Sequence, residues 1–326
     1  MWNAWRVLRP FILLGLSGVA AFAAPARYDA QSRIESPQEY TQIHMGMPVR
    51  IRMYAASSDE ARQAAIAAFA RIAVLDRMMS DYRPDSELRQ LSAARGAWQN
   101  VSPELYDVLE RAVEIARATD GAFDPTVGPL VLLWREARQT ARMPDASAIA
   151  RAREAVGWQR IAFDRSRRAV RLGHPGMRVD LGGIAKGYIL DDAVRTLRGA
   201  GVRRALIEAG GDIVVGNAPP DRDGWRIDVT GADSEFAARA AALTNAALAT
   251  SGPTAQFVEI DGVRYSHVVD PRTGMGLTNH VTAHVIAPDG TTADALATAL
   301  TIVPEASVPG ILSRFPGARA AVVRER

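Results

Sequence analysis

The sequence predicts an α+β fold, with a mixed or antiparallel sheet packed by helices, in one compact unit over residues 35–326. Three observations lead there. The chain before residue 120 carries two amphipathic helix patterns, and strand signals crowd it from residue 205 onward. Between two short runs of strand-forming residues stands Asp261-Gly262, the strongest hairpin signal present. No internal repeat or low-complexity linker divides the unit.

The elements follow in order. Pro48-Val49-Arg50-Ile51-Arg52-Met53-Tyr54 alternates apolar and polar and reads as a strand with one buried face. Ser58 is placed to cap a helix whose apolar positions include Ile66, Phe69, Ile72 and Met79. After the polar, proline-broken loop Ser80-Asp81-Tyr82-Arg83-Pro84-Asp85-Ser86, a second helix starts at Ser102-Pro103-Glu104. Its apolar face is Leu105, Val108, Leu109, Ala112 and Ile115. Residues 121–129 form a fixed, irregular loop rich in glycine and proline. Arg178-Val179-Asp180 reads as a strand that leads through glycines into a helix from Tyr188 to Leu197. Further strand signals are residues 205–215, interrupted by Gly210-Gly211, and the alternating Trp225-Arg226-Ile227-Asp228-Val229. Leu248-Ala249-Thr250-Ser251-Gly252-Pro253 reads as an ordinary loop without a nucleophile elbow. Phe257 to Ile260 and Val263 to Ser266 make the hairpin, His280 to Ile286 a last strand, and a helix begins near Thr292.

The N-terminus reads as a targeting signal. Arg6 and Arg9 precede an apolar run from Phe11 to Phe22, and Ala21-Phe22-Ala23 has the small residues that signal peptidase reads. Residues 1–23 are therefore expected to be cleaved after Ala23; the alternative is an uncleaved anchor. The run is shorter than the roughly 20 residues of a comfortable span. The expected product is exported into a bacterial periplasm. Cysteine is absent, which excludes disulfides, thiolate metal sites, a cysteine nucleophile and a lipidated N-terminal cysteine. Losing Arg6 and Arg9 with the signal takes the net charge from +3 to +1. The remaining arginines are scattered, so no basic, aromatic-interleaved face for nucleic acid is present.

Three separated segments carry chemistry. In Asp180-Leu181-Gly182-Gly183-Ile184-Ala185-Lys186-Gly187 the glycines let backbone amides approach an anion at a helix start, and Lys186 adds a full charge. The same residues would also make a plain strand-to-helix connection with a surface lysine. The spacing is neither that of a dinucleotide fingerprint nor that of a P-loop. Asp294 and Thr298 lie one helical turn apart on one face. With carbonyls of Gly183 and Ala185 they could form part of an octahedral oxygen cage for magnesium; otherwise they are a capping aspartate and a threonine bonded to its own helix. His267 ends the hairpin beside Asp270-Pro271-Arg272-Thr273-Gly274, on the same face as Val263 and Tyr265. Arg272 could hold an anion or pair with Asp270.

Taken in order, these segments resemble the ApbE family of FAD:protein FMN transferases over nearly the whole mature chain. Met45-Gly46, the loop of Tyr82, residues 121–129, Gly210-Gly211-Asp212, Thr250-Ser251-Gly252, Tyr265-Ser266-His267 and Ala293-Asp294-Ala295-Leu296-Ala297-Thr298 share the resemblance. It implies an ApbE-like unit related to T-folds and a magnesium-dependent enzyme that moves FMN from FAD onto a threonine or serine hydroxyl, releasing AMP. Met45, Tyr82, Ala122, Phe123, Asp124, Asp180, Lys186 and His267 would contact FAD. Asp294 and Thr298 would hold Mg²⁺ with backbone oxygen of Gly183 or Ala185. His267 would activate the acceptor hydroxyl or orient the flavin, and Asp294 would serve catalysis through the metal. The acceptor would be a subunit of an ion-pumping or electron-transfer complex, or a secreted flavoprotein. Two alternatives share the same contacts: an FAD pyrophosphatase giving FMN and AMP, and a periplasmic FAD-binding protein without turnover. Many relatives carry an acidic residue after Thr-Ser-Gly where Pro253 stands here, and many exported relatives are lipoproteins, which a chain without cysteine is not.

Overall fold

The first hairpin shows how local chemistry starts the sheet. Strands β1 (Gln38–His44) and β2 (Met47–Tyr54) pair antiparallel across Met45-Gly46. Both turn residues have positive φ, 52° and 75°, the type I′ geometry that matches strand twist. This computed structural model describes residues 36–252 and 256–324. The expected signal segment and Pro253 lie outside the described residues.

Next come α1 (Ser58–Met79), α2 (Glu87–Ala93), β3 (Gln99–Asn100) and α3 (Pro103–Ala118). Then follow α4 (Gly128–Thr140), α5 (Ala146–Glu154), β4 (Ile161–Asp164), β5 (Ala169–Leu172) and α6 (Ala185–Gly199). The second half adds β6 (Arg204–Ala209), β7 (Asp212–Val215), α7 (Ser234–Ala240), β8 (Ala246–Ser251), β9 (Phe257–Ile260) and β10 (Val263–Ser266). The chain finishes with β11 (Val281–Ala287), α8 (Gly290–Ile302), α9 (Val308–Leu312) and β12 (Arg319–Arg324).

Seven strands form one sheet in the order β1-β2-β6-β7-β8-β11-β12, every neighbouring pair antiparallel. The sheet is open. Period-two alternation assigns its faces. Ile51, Ile207, Val214, Ala249 and Val285 join the main core, which includes residues of α1, α6 and α8. Val215, Leu248 and Ile286 point the other way, into a smaller core with Trp225 and Phe236. A third cluster seats the β9–β10 hairpin on α4 through Leu130, Trp134, Val258 and Ile260. Among the described residues no helix is long and apolar enough to cross a membrane.

Helix α8 is buried on all sides except at Thr298, so it crosses the core rather than lying on it. Its crossing with α6 depends on glycine. A Cβ on Gly187 would overlap the Gly290 carbonyl and stand 2.8 Å from the Thr291 nitrogen.

Several expectations change. The cap of α1 is Ser57, one residue earlier than expected, and Ile66 is 53% exposed, on the far side from Phe69, Ile72 and Met79. Arg178-Val179-Asp180 is an extended segment with a single bridge, Arg178 to Val127, because no strand lies beside it to extend a ladder. Trp225 to Val229 is likewise no strand: it bonds to Leu243 and Ala240, so its alternation serves burial under α7. Residues 248–251 are the opposite case, since the expected loop is the end of central strand β8. Gly210-Gly211 closes the β6–β7 hairpin, with φ of 55° and 92°.

Candidate active site

The site grows from the start of α6. Asp180 ends the extended segment, and its Oδ1 accepts the Gly182 amide at 2.8 Å, folding the glycine turn back on itself. A Cβ on Gly183 would lie 2.8 Å from Thr298 Oγ1, so this glycine is what lets the turn rest on α8. One residue into α6, Lys186 donates to Asp294 Oδ1 at 3.1 Å and to Asp212 Oδ2. The Gly187 amide donates to Asp294 Oδ2 at 3.2 Å. Lysine and aspartate thus meet beneath a glycine turn that rests on Thr298. Lys186 is no solvated surface lysine.

Asp294 is not the cap of α8 either. Asp289 caps it through the Thr292 amide at 2.7 Å. Asp191 on α6 accepts from the Gly290 and Thr291 amides at 2.7 and 2.9 Å and from the Thr291 hydroxyl at 2.7 Å. Two aspartates therefore satisfy the orphan amides of the helix start, leaving Asp294 for other work.

Electrostatics concentrate at this cluster. Burial alone would lower the Lys186 ammonium, but the charges of Asp294 and Asp212 reverse the effect and hold its pKa above the ordinary lysine value. Burial first, and then the charge of Asp294, push the Asp212 carboxyl up. Asp212 Oδ1 is buried without a well-formed hydrogen bond among the described residues, the Thr250 backbone being only a minor influence on the carboxylate. Asp212 is the residue that reading the sequence missed as a site residue. Its signal was there: a charge directly after a Gly-Gly turn, opening an apolar strand.

The remaining expected residues fall into two groups around this centre. Arg135 of α4 ties the first together: its guanidinium lies 4.2 Å from the Tyr82 ring centroid, bonds Asp180 Oδ2 at 3.0 Å and pairs with Asp81. Arg178 Nε bonds the same Asp81 at 2.9 Å. Tyr82 itself is 74% exposed, with Arg135 stacked over one face of its ring. The Asp180 amide bonds the Pro125 carbonyl at 2.8 Å, which brings the 121–129 loop alongside. Within that loop Ala122 and Phe123 are buried. The Asp124 carboxylate accepts from the Thr126 amide and hydroxyl at 2.8 and 2.6 Å and from the Trp158 amide at 3.1 Å. These bonds hold the loop's shape, while burial raises the Asp124 carboxyl. Met45 stands apart from this group, its amide on Asp76 Oδ2 at 2.9 Å. Its hairpin neighbours the Gly210-Gly211 turn, since a Cβ on Gly210 would meet Met47 Sδ at 2.5 Å.

His267 forms the other side. Its Nδ1 bonds the Gln256 carbonyl at 3.1 Å. A carbonyl only accepts, so Nδ1 carries the proton and the neutral ring presents Nε2 as a base. Burial, then the charges of Arg138 and Lys186, lower its pKa below the ordinary histidine value. The hairpin is held by the Trp134 indole, which donates to the Gly274 carbonyl at 2.9 Å and packs 5.1 Å from Tyr265. Arg272 pairs with Asp270 at 2.9 and 2.8 Å, so it braces the turn and is not an open anion site.

The donors near Asp294 suit a hard cation. Its carboxylate, the Thr298 hydroxyl and the carbonyls of Gly183 and Ala185 are all oxygen ligands of the kind magnesium accepts. Among the described residues no group of three or more His, Cys, Asp or Glu is gathered for a metal. Water and substrate phosphate would have to complete the shell.

Known proteins share this architecture. The chain is 30% identical to the FAD:protein FMN transferase of Treponema pallidum, over 97% of this chain and 90% of that one. It is 34% identical to a FAD:protein FMN transferase of Klebsiella pneumoniae, over 75% and 73% of the two. Its fold superposes on the ApbE protein of Thermotoga maritima with a TM-score of 0.77 and 31% identity, over 89% of this chain and 94% of that one. The apo flavinyl transferase ApbE of Pseudomonas stutzeri gives the same TM-score at 28% identity, over 89% and 92%. Residues 45–323 match the ApbE family, and with the fold in agreement the chain belongs to that family.

Proposed function

We propose that this enzyme transfers FMN from FAD to a threonine or serine hydroxyl of an exported or membrane flavoprotein, releasing AMP, with magnesium held by Asp294 and Thr298. The observation that carries this reading is the meeting of Lys186, Asp294 and Asp212 under a glycine turn that rests on Thr298. A bound divalent cation would offset charge on the phosphate oxygens as the pyrophosphate breaks. The protein's own groups do the rest. Amides at the start of α6 and the Lys186 ammonium receive the pyrophosphate. The Tyr82 ring offers an exposed face to an aromatic ring of FAD. His267 Nε2 takes the proton of the acceptor hydroxyl, whose oxygen bonds to the FMN phosphorus while the bond to the AMP oxygen breaks. AMP leaves as the monoester. The reaction belongs in the periplasm, after cleavage behind Ala23.

Incubation with FAD, Mg²⁺ and an acceptor fragment, read by mass, tests the proposal. Gain of one FMN by the acceptor, with AMP released, is the expected result; FMN and AMP beside an unmodified acceptor would replace transfer with hydrolysis. Asp294→Ala is expected to slow the reaction by about 100-fold or more, as loss of several kcal/mol of metal stabilisation requires.

A further inference from the structure

Lys186 donates to one of the two Asp294 oxygens that a cation there would use. Asp294 Oδ2 is committed to the Gly187 amide at 3.2 Å, and Oδ1 receives the Lys186 ammonium at 3.1 Å. The same ammonium pairs with Asp212 Oδ2, and Asp212 Oδ1 is left buried without a well-formed bond. Both carboxylates are at least nine-tenths buried. Without a cation between them they would face each other uncompensated, which is costly in a dry interior.

We infer that Lys186 is a resident counter-ion which a divalent cation displaces from Asp294, with Asp212 the second anchor that keeps the lysine beside the site. A lysine suits the exchange, since it is a compact charge on a flexible stem. When the cation takes Asp294 Oδ1, the ammonium keeps Asp212 and turns its free donors to the incoming pyrophosphate. Metal and FAD then favour one another's binding, by the same factor in both directions. Asp212 acts through Lys186 and is a positioning residue. The inference rests on Asp294 as metal ligand, and its test separates the two ideas.

Mn²⁺ serves as the probe, its free concentration followed by electron paramagnetic resonance on the full chain without FAD. Lys186→Met is expected to bind Mn²⁺ about tenfold or more tightly than the unsubstituted protein, the order expected on removing a unit charge ~4 Å away from a partly solvated site. Asp212→Asn, near-isosteric and able to fold where Lys186→Met does not, is expected to bind severalfold more weakly because the lysine then rests on Asp294 alone. Equal or weaker binding by a folded Lys186→Met, or unchanged binding by Asp212→Asn, overturns the counter-ion role. If Asp294→Ala binds Mn²⁺ as the unsubstituted protein does, the metal site itself is wrong and the inference falls with it.

Discussion

His267 shows what a single side chain needs from its surroundings. One carbonyl, that of Gln256, fixes its tautomer, and burial with two nearby cations keeps the ring neutral. The transfer rate is therefore expected to hold as pH falls past the ordinary histidine value near 6.5, and to drop only below the lowered pKa. His267→Ala should lose about 100-fold in rate together with that acid limb; a limb that persists in the variant would assign it to another group. The stability sign is the same. The unfolded chain binds the proton more tightly, so the histidine's contribution is present above 6.5 and is lost as pH falls toward the folded value. Histidine, lysine and the Asp294–Thr298 pair were readable because each chemistry lies in a short segment. The pairing of Asp212 was not, because nothing near it in sequence says that Lys186, 26 residues earlier, will point at it.

The elements most readable from sequence were those whose caps and turns are local. Ser102-Pro103 starts α3 as expected, and Asp261-Gly262 turns the β9–β10 hairpin with φ of 50° and 74°. The misreadings share one cause, which is neighbours. Trp225 to Val229 alternates yet pairs with no ladder, while Thr250-Ser251 looks like a loop yet ends a central strand between β7 and β11. The α6–α8 crossing is the element-scale feature that builds the site, and Gly187 permits it. Gly187→Ala is expected to destabilise the fold by about 1–3 kcal/mol, as overpacking does, read as a lower melting temperature. It should also weaken Mn²⁺ binding, because α6 would be pushed off the helix that carries Asp294. An unchanged melting temperature would show that the crossing tolerates a methyl group.

For the whole molecule, the open seven-stranded sheet gathers at one end what the chain scatters. The β2 start beside Met45, the β7 start at Asp212 and the β8 end at Ser251 are brought level by register: Val49 faces Ala209, Ala209 faces Asp212, and Ile213 faces Leu248. If FAD and magnesium occupy one site there, each stabilises the folded state by its own binding and by the coupling between them. The melting temperature with FAD and Mg²⁺ together is expected to rise by more than the sum of the separate shifts, and Asp294→Ala should abolish the excess. Strictly additive shifts would place the two ligands in independent sites. The sequence alone determined the fold class, the family resemblance, and the identities of the glycine turn and the Asp294–Thr298 pair, because turns, caps and helical spacing act over a few residues. Only the tertiary structure decided that Lys186 is shared between Asp294 and Asp212, that Arg272 is spent on its own turn and that Asp191 caps a helix 99 residues away. Those pairings depend on strand register and on two glycines meeting at a helix crossing, and no local pattern encodes either.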